Sequence, residues 1–316
     1  MIILVCQPVT ENMRRRFGEI FPGHEFIYNE KPHREDFEKA GVIFGFPEPE
    51  MIKYAEKLRF VQLCSSGAEK HVDVVPRDVP LCSTTGIFGG EIAEVMLGYL
   101  LSINKYLPVY RDRQRQHSWD PGFFNRPVRG STVLILGLGD IGMNFARLVK
   151  ALDCHVIGLR RTMGEKPDCA DELYTTDKLD ELIPRADVIA MCMPSTRQTQ
   201  NLMTRERIFA MKKGSVLINV GRGSALDTMA LCDALNEGHL FGAAIDVVDT
   251  EPLPAGHPAW DVPNLIITPH VSGRSYSPWL IEQCADVFIR NFAAFLSGGE
   301  LEALVDRDTG YMVSRK

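Results

Sequence analysis

Three short stretches of the sequence place a charged or titratable side chain just beyond an apolar, β-branched run. Arg222 follows LINVG, Glu251 follows GAAIDVVDT and His270 follows LIITP. Such runs are typical of buried parallel strands, and ligands bind at the carboxyl ends of these strands. A guanidinium suits a carboxylate, an imidazole can donate a proton, and a neighbouring carboxylate stabilises the charged imidazole. The three side chains are therefore candidates for anion binding and acid–base chemistry at one sheet edge, although each alone also suits a structural role.

The stretch GLGDIG places glycines at 137, 139 and 142, which is the G-x-G-x-x-G spacing of a dinucleotide cradle. A predicted strand, STVLILG, precedes it, and an amphipathic helix, MNFARLVKALD, follows it. Gly137 would make the tight turn, Gly139 would let backbone N–H groups approach a pyrophosphate, and Gly142 would allow close packing of helix on strand. The alternative is a glycine-rich turn without a ligand. We predict a dinucleotide site that also includes Asp140 and Ile141.

The end of the next predicted strand indicates which dinucleotide binds. NAD sites usually carry an Asp or Glu about 20 residues after the glycine motif, where it binds the adenosine ribose. No carboxylate lies between positions 154 and 164, and Arg160, Arg161 and Thr162 follow the strand instead. Guanidinium groups suit a 2′-phosphate, so NADP(H) is favoured over NAD(H). The alternative is that one arginine stacks on adenine and the other is solvated.

These motifs, together with KLRFVQLCSSGAE, GGEIAEVMLGYLL and MPSTRQTQ, resemble the D-isomer-specific 2-hydroxyacid dehydrogenase family. The likeness covers nearly the whole chain. The family includes D-lactate and phosphoglycerate dehydrogenases and the glyoxylate and hydroxypyruvate reductases. The resemblance implies an oxidoreductase that transfers a hydride between NADP(H) and a small 2-oxo acid or D-2-hydroxy acid, with a glyoxylate- or hydroxypyruvate-like substrate favoured.

The resemblance also implies a role for each matching residue. Arg222 would bind the substrate carboxylate and polarise its carbonyl, and His270 would protonate the carbonyl oxygen. Glu251 would pair with His270, and Asp246 would hydrogen-bond the nicotinamide carboxamide. Other matching positions are Pro194, Thr199, Val220, Gly221 and Ser272 along the cofactor, and Ser66 and Gly67, whose backbone N–H groups would hold the substrate carboxylate.

One motif departs from the family pattern. The family often shows PHIGG or PHIAG around the acid, whereas this chain has PHVSGRS. Ser272 remains a candidate contact for the nicotinamide, and no role follows for Arg274. The resemblance therefore does not define the walls of the substrate pocket.

Short apolar runs alternate with helix-period segments, which is typical of parallel sheets with helical crossovers. The predicted fold class is α/β, with two Rossmann-like or flavodoxin-like doubly wound parallel-sheet domains and a cleft between them. Residues 1–99 plus 290–316 are predicted to form a discontinuous substrate domain, and residues 100–289 the dinucleotide-binding domain. The predicted strands are 2–6, 25–28, 41–45, 60–64, 80–82, 132–136, 154–159, 187–191, 215–219, 241–245 and 264–267, and long helices are predicted from Glu91, with a break at Pro108, and over 278–296.

Composition excludes several other classes of function. The net charge of −6 and the pI near 5.8 indicate no basic surface for nucleic acid or an anionic membrane. The longest apolar run, residues 95–103, is too short to span a bilayer. The eight cysteines show no C-x-x-C pair and no zinc-type cluster, so we expect reduced thiols, no metal and a cytoplasmic location. The resemblance further implies a homodimer packed through the region after Glu91.

Two other functions are compatible with the same architecture. One is a non-enzymatic, dinucleotide-sensing binding protein that resembles the transcriptional corepressors, some of which retain the Arg, Glu and His. The other is oxidation of formate or phosphite, which more often uses NAD. Steady consumption of NADPH with a panel of 2-oxo acids distinguishes a 2-oxo acid reductase from both.

Overall fold

The computed structural model describes residues 1–273 and 277–308. The chain divides into two compact units, Met1–Ile87 with Tyr276–Lys316, and Phe88–Ser275. The boundaries expected at 99/100 and 289/290 fall inside two helices, Gly89–Asn104 and Pro278–Ser297. Each helix stays whole within one unit, because its backbone hydrogen bonds run along its full length. The chain therefore changes unit just before each of these helices.

Parallel strands alternate with helices throughout the described residues. The strands are β1 (Ile2–Cys6), β2 (Glu25–Tyr28), β3 (Val42–Gly45), β4 (Phe60–Leu63), β5 (Leu81–Cys82), β6 (Thr132–Leu136), β7 (His155–Arg160), β8 (Glu172–Thr175), β9 (Val188–Met191), β10 (Val216–Asn219), β11 (Gly242–Ile245) and β12 (Leu265–Ile267). The α-helices are α1 (Glu11–Ile20), α2 (Arg34–Lys39), α3 (Gly89–Asn104), α4 (Leu107–Arg115), α5 (Asp140–Lys150), α6 (Leu179–Leu182), α7 (Arg205–Phe209), α8 (Thr228–Asn236) and α9 (Pro278–Ser297). Short 3-10 turns are Pro49–Tyr54, Thr176–Lys178, Ile183–Arg185, Gly223–Ala225 and Pro258–Asp261.

The first unit contains a five-stranded parallel sheet in the order β2-β1-β3-β4-β5, which is the flavodoxin-like arrangement. Its central strands are buried on both faces, which explains their continuous apolar runs. Phe17 of α1, Phe44 of β3 and Phe288 of α9 pack together, with the rings of Phe44 and Phe288 stacked 4.4 Å apart. The last long helix of the chain thereby completes the core of the first unit.

The second unit contains a seven-stranded parallel sheet in the order β12-β11-β10-β9-β6-β7-β8. The strand order reverses between β6 and β9, so this sheet is doubly wound and ligands are expected at the carboxyl ends of these strands. Two such sheets confirm the predicted α/β fold class. In residues 1–273 and 277–308, no helix combines the length and apolar character that crossing a bilayer would require.

Two elements of the second unit differ from expectation. Strand β8 was not predicted, because this edge strand is only half-buried and carries polar side chains such as Glu172. The helical segment from Glu91 was expected to break at Pro108, but α3 ends earlier and Tyr106 adopts a left-handed conformation with φ of 55°. Pro108 lies in the first turn of α4, where its missing N–H costs no hydrogen bond. The proline therefore starts a helix here.

Candidate active site

The glycine motif joins β6 to α5 in a turn that requires glycine at two places. Gly137 has a φ of +96°, and a Cβ on it would lie 3.1 Å from the backbone nitrogen of Met193. A Cβ on Gly142 would lie 2.2 Å from the carbonyl oxygen of Gly137, so only glycine lets α5 approach the turn. No described atom lies within 4 Å of a Cβ built on Gly139. The turn therefore fits a dinucleotide cradle, with open space over the glycine that immediately precedes α5.

Asp140 links this cradle to the start of α3. Its carboxylate accepts hydrogen bonds from the backbone N–H of Gly89 at 3.0 Å and from Nδ2 of Asn144 at 3.1 Å. Ile141, the other intervening residue of the motif, is half-buried. Both oxygens of Asp140 thus already have protein partners.

Arg160 lies at the end of β7, beside the cradle. Its Nε donates to the carbonyl oxygen of Leu138 at 2.9 Å, and Nη2 lies 3.6 Å from the sulfur of Met143. Arg161 and Thr162 follow at exposed positions. The end of β7 therefore places the two arginines at the rim of the glycine turn.

The loops after β9 and β10 pack closely against each other. The hydroxyl of Thr199 donates to the carbonyl oxygen of Pro194 at 2.7 Å, which closes the loop after β9. A Cβ on Gly221 would lie 2.6 Å from the carbonyl oxygen of Met193, and Val220 beside it is buried. Four residues matched from the sequence thus shape the loops after β9 and β10, on one side of the point where the strand order reverses.

A buried amide holds the turn that presents Arg222. Oδ1 of Asn219 accepts from the backbone N–H of Gly221 at 3.0 Å, and Nδ2 donates to the carbonyl oxygen of Arg222 at 3.1 Å. The guanidinium of Arg222 is half-buried and donates through Nη1 to the carbonyl oxygen of Gly221 at 2.8 Å. Asn219 was not predicted as a site residue, although a polar residue at the end of a fully buried strand was a usable signal.

His270 and Glu251 form a direct pair. Nδ1 of His270 lies 2.8 Å from Oε2 of Glu251, and Oε1 of Glu251 accepts from the backbone N–H of Val248 at 3.3 Å. A Cβ on Gly223 would lie 1.8 Å from the carbonyl carbon of Val248, so the turn after Arg222 packs against the loop that carries Glu251. The structure therefore brings the three predicted catalytic residues to the adjacent ends of β10, β11 and β12.

Asp246 organises the loop around His270. Its carboxylate is buried; Oδ1 accepts from the Thr268 hydroxyl and from the N–H of Val271, and Oδ2 accepts from the N–H and hydroxyl of Ser272. These donors fill the roughly four acceptor positions of a carboxylate. The expected bond from Asp246 to a nicotinamide carboxamide, and the expected nicotinamide contact of Ser272, would therefore compete with these protein bonds. Arg274 lies outside the described residues.

The Ser66–Gly67 loop of the first unit follows β4. The Ser66 hydroxyl donates to the carbonyl oxygen of Thr84 at 3.1 Å. The Ser65 hydroxyl donates to the carbonyl oxygen of Gly67 at 2.7 Å. In the part of the chain that the structure describes, no acceptor faces the backbone N–H groups of Ser66 or Gly67. These two donors are therefore available to an anion.

A buried polar network, which was not predicted from the sequence, fixes that loop. Gln62 donates to the Ser83 carbonyl oxygen at 3.0 Å, and its own Oε1 accepts from Asn291 of α9 at 2.6 Å. Both amide side chains are fully buried. Gln62 in the apolar run FVQLC was the available signal, since a buried amide needs partners. Cys64, beside the loop, is also buried, and burial raises the pKa of its thiol well above the usual range.

Comparison with known proteins identifies the family. Residues 97–272, more than half of the chain, match the NAD binding domain of D-isomer specific 2-hydroxyacid dehydrogenases. A glyoxylate reductase from Thermofilum pendens is 30% identical over 83% of this chain and 78% of its own. A D-isomer specific 2-hydroxyacid dehydrogenase family protein from Aeromonas salmonicida has a structure with a TM-score of 0.86 and 33% identity, covering 97% of this chain and 99% of its own. The NADPH-dependent glyoxylate/hydroxypyruvate reductase from Sinorhizobium meliloti, solved with NADP and sulfate, gives a TM-score of 0.82 and 25% identity over 98% and 99%.

The chain belongs to the D-isomer specific 2-hydroxyacid dehydrogenase family, which confirms the resemblance noted from the sequence. It is therefore an NAD(P)-dependent oxidoreductase.

Proposed function

We propose that the protein reduces a small 2-oxo acid to the D-2-hydroxy acid with NADPH, and catalyses the reverse reaction with NADP⁺. Glyoxylate and hydroxypyruvate are the favoured substrates, in keeping with the activities named for the Thermofilum and Sinorhizobium relatives. The observation that carries the proposal is the pair of His270 Nδ1 and Glu251 Oε2 at 2.8 Å, beside the turn of Arg222. This arrangement combines a proton donor, His270, with a cation, Arg222, that suits a carboxylate.

The pairing supports Nε2 as the nitrogen of His270 that acts on the substrate. An ionised Glu251 can only accept a hydrogen bond, so Nδ1 carries a proton and donates to it. In the imidazolium form Nε2 also carries a proton, and this proton moves to the carbonyl oxygen of the substrate. NADPH, when bound, supplies the hydride for C2. His270 is left neutral, and Glu251 stabilises the imidazolium that forms again before the next turnover.

Arg222 is proposed to bind the substrate carboxylate. A guanidinium presents five N–H donors in a planar fork that matches a carboxylate, and its positive charge also polarises the adjacent carbonyl. The Asn219 bonds fix the backbone on both sides of Gly221, so the direction of the Arg222 side chain is set before substrate arrives. Ser66 and Gly67 remain candidate anion ligands through their backbone N–H groups.

The proposed preference for NADP(H) depends on charge at the end of β7. Gly137, Gly139 and Gly142 would hold the pyrophosphate, because their turn closes tightly and leaves open space at Gly139, just before α5. Arg160 and Arg161 stand at the strand end where an NAD site has a carboxylate, and they would bind the 2′-phosphate. Val220 and Gly221 would line the nicotinamide side, with Pro194 and Thr199 shaping the facing loop.

A homodimer is proposed through the face formed by α3, α4 and β12. Val95, Ser102 and Leu107 line an open groove there together with Leu265, and Leu107 is 53% exposed. An apolar surface of this kind is stabilised when a second copy covers it. Light scattering should give a mass of twice 35.4 kDa, and a monomer at micromolar concentration would contradict the dimer.

The eight free cysteines suit a reducing compartment such as the cytoplasm.

The direct test is a panel of 2-oxo acids assayed by NADPH absorbance and repeated with NADH. We expect turnover of glyoxylate or hydroxypyruvate and a kcat/KM at least about tenfold higher with NADPH. Tight NADPH binding without turnover of any acid would instead establish a dinucleotide-sensing protein. Turnover of formate with NAD would establish the other alternative function.

A further inference from the structure

We propose that Tyr99 is a positioning residue for His270 and acts through Thr268 and Asp246. The Tyr99 hydroxyl lies 2.5 Å from Oγ1 of Thr268, which donates to Oδ1 of Asp246 at 2.5 Å. Tyr99 belongs to α3, in the middle of the apolar run VMLGYLL. The inference rests on the function proposed above, because it concerns the acid of that reaction.

The direction of each hydrogen bond follows from the number of protons. Asp246, as a carboxylate, only accepts, so the single hydroxyl proton of Thr268 points to it. Thr268 must then accept from Tyr99, which donates its own hydroxyl proton. Burial raises the pKa of Tyr99, the hydrogen bond with Thr268 lowers it, and the charge of Asp246 raises it. The net shift is upward, so the hydroxyl stays protonated and keeps donating. In such a chain each bond polarises and strengthens the next.

The same carboxylate determines where His270 lies. The N–H groups of Val271 and Ser272 donate to Asp246 Oδ1 and Oδ2 at 2.9 Å, and the N–H of His270 donates to the Asp246 carbonyl oxygen at 2.8 Å. His270 has a φ of +53°, a left-handed conformation that a non-glycine residue keeps only when its surroundings hold it there. The backbone after the imidazole is thus tied to the side chain of Asp246, and the N–H of His270 itself is tied to the backbone of Asp246. A shift of Asp246 would therefore move Nδ1 of His270 away from Glu251.

Tyr99 is the outermost member of this chain of donors. It is buried, with 7% of its surface exposed, and its ring fills space that phenylalanine would fill equally well. If Tyr99 served packing alone, removing its hydroxyl would have no effect on the acid. If it positions His270, the loss leaves the lone pair of Thr268 without its donor and loosens Asp246.

The test compares Tyr99→Phe with Tyr174→Phe. The hydroxyl of Tyr174 donates to Oε2 of Glu172 at 2.6 Å on edge strand β8, so it provides a matched loss of a hydroxyl–carboxylate bond outside the network. We expect Tyr99→Phe to lower kcat about tenfold while the KM values for NADPH and glyoxylate change less than about twofold. Tyr174→Phe should leave all three unchanged. Thr268→Val should lower kcat more than Tyr99→Phe does. Thr268→Ser, which keeps the hydroxyl, should retain most of the wild-type kcat.

A second readout needs no turnover. Nitrogen-15 NMR of the free protein detects the Nδ1–H of His270 bonded to Glu251, assigned by its loss in His270→Asn. We expect this signal to shift or broaden in Tyr99→Phe and Thr268→Val and to persist in Tyr174→Phe. If the wild type reduces no 2-oxo acid, the proposed function fails while the signal still tests the positioning. Wild-type kcat together with an unchanged signal in Tyr99→Phe would overturn the inference.

Discussion

The Nε of Arg160 donates a hydrogen bond of 2.9 Å to the carbonyl oxygen of Leu138, inside the glycine turn. The side chain at the end of β7 therefore stabilises the cradle in addition to carrying a positive charge. Its neighbour Arg161 is exposed at the same rim. The two arginines therefore allow two effects to be measured separately by cofactor kinetics. One is support of the glycine turn by Arg160, and the other is attraction of the proposed 2′-phosphate by positive charge.

Arg160→Ala should weaken both dinucleotides. Loss of the bond to Leu138 loosens the turn that would hold the pyrophosphate, which NADPH and NADH share. We expect the KM for both dinucleotides to rise. The KM for NADPH should rise more, by about tenfold or more, because a positive charge is also lost. Fluorescence titration of the reduced dinucleotides measures both affinities. An unchanged NADH affinity would show that Arg160 does not support the turn.

Arg161→Ala should act selectively. It removes a charge near the proposed 2′-phosphate and leaves the bond from Arg160 to Leu138 in place, so the KM for NADPH should rise about tenfold and that for NADH should stay within about twofold. Arg15→Ala provides the control, since Arg15 is an exposed arginine on α1. An equal rise in the KM for NADPH and for NADH would contradict a contact between Arg161 and the 2′-phosphate.

Gly142→Ala should disrupt the cradle itself. The added Cβ would lie 2.2 Å from the carbonyl oxygen of Gly137, so α5 must shift away from β6. We expect the free energy of unfolding to fall by about 1–3 kcal/mol and dinucleotide binding to be lost. Gly18→Ala on α1 is the matched control, because no described atom lies within 4 Å of its Cβ and alanine favours a helix. Urea unfolding measures both variants, and a Gly142→Ala protein with wild-type stability and binding would contradict the packing argument.

Glu172 should contribute to stability in a pH-dependent way. Hydrogen bonds from Tyr174, His155 and Arg185 lower the pKa of Glu172 from 4.5 to about 2. A carboxyl with a depressed pKa in the folded state stabilises the fold above its unfolded pKa and loses that contribution as the pH falls. The difference in unfolding free energy between wild type and Glu172→Gln should therefore shrink as the pH falls from 4.5 to about 2. The exposed Glu300→Gln is the control, and a difference that does not vary with pH would refute the contribution.

The sequence was sufficient for the fold class and for naming the side chains that are proposed to react, but not for the residues that hold them. Apolar runs and glycine spacing report local structure, so most strands and the cradle were predicted within one or two residues. Strand β8 was missed because polar side chains obscure its pattern at the sheet edge. Asn219, Gln62 and Tyr99 act through partners that are distant in the sequence or on the backbone. No periodicity encodes such pairings, and they become visible only when the strands are assembled.

The most direct test of the central claim is the rate of NADPH oxidation by glyoxylate and hydroxypyruvate in wild type and His270→Asn, with NADPH affinity measured in parallel. If His270, charged beside Glu251, is the acid, the wild type turns over and His270→Asn lowers kcat by about 100-fold or more while still binding NADPH. Glu251→Gln should show a smaller loss, because the partner amide keeps the contact but not the charge. A His270→Asn protein that reduces either acid at the wild-type rate would contradict the claim.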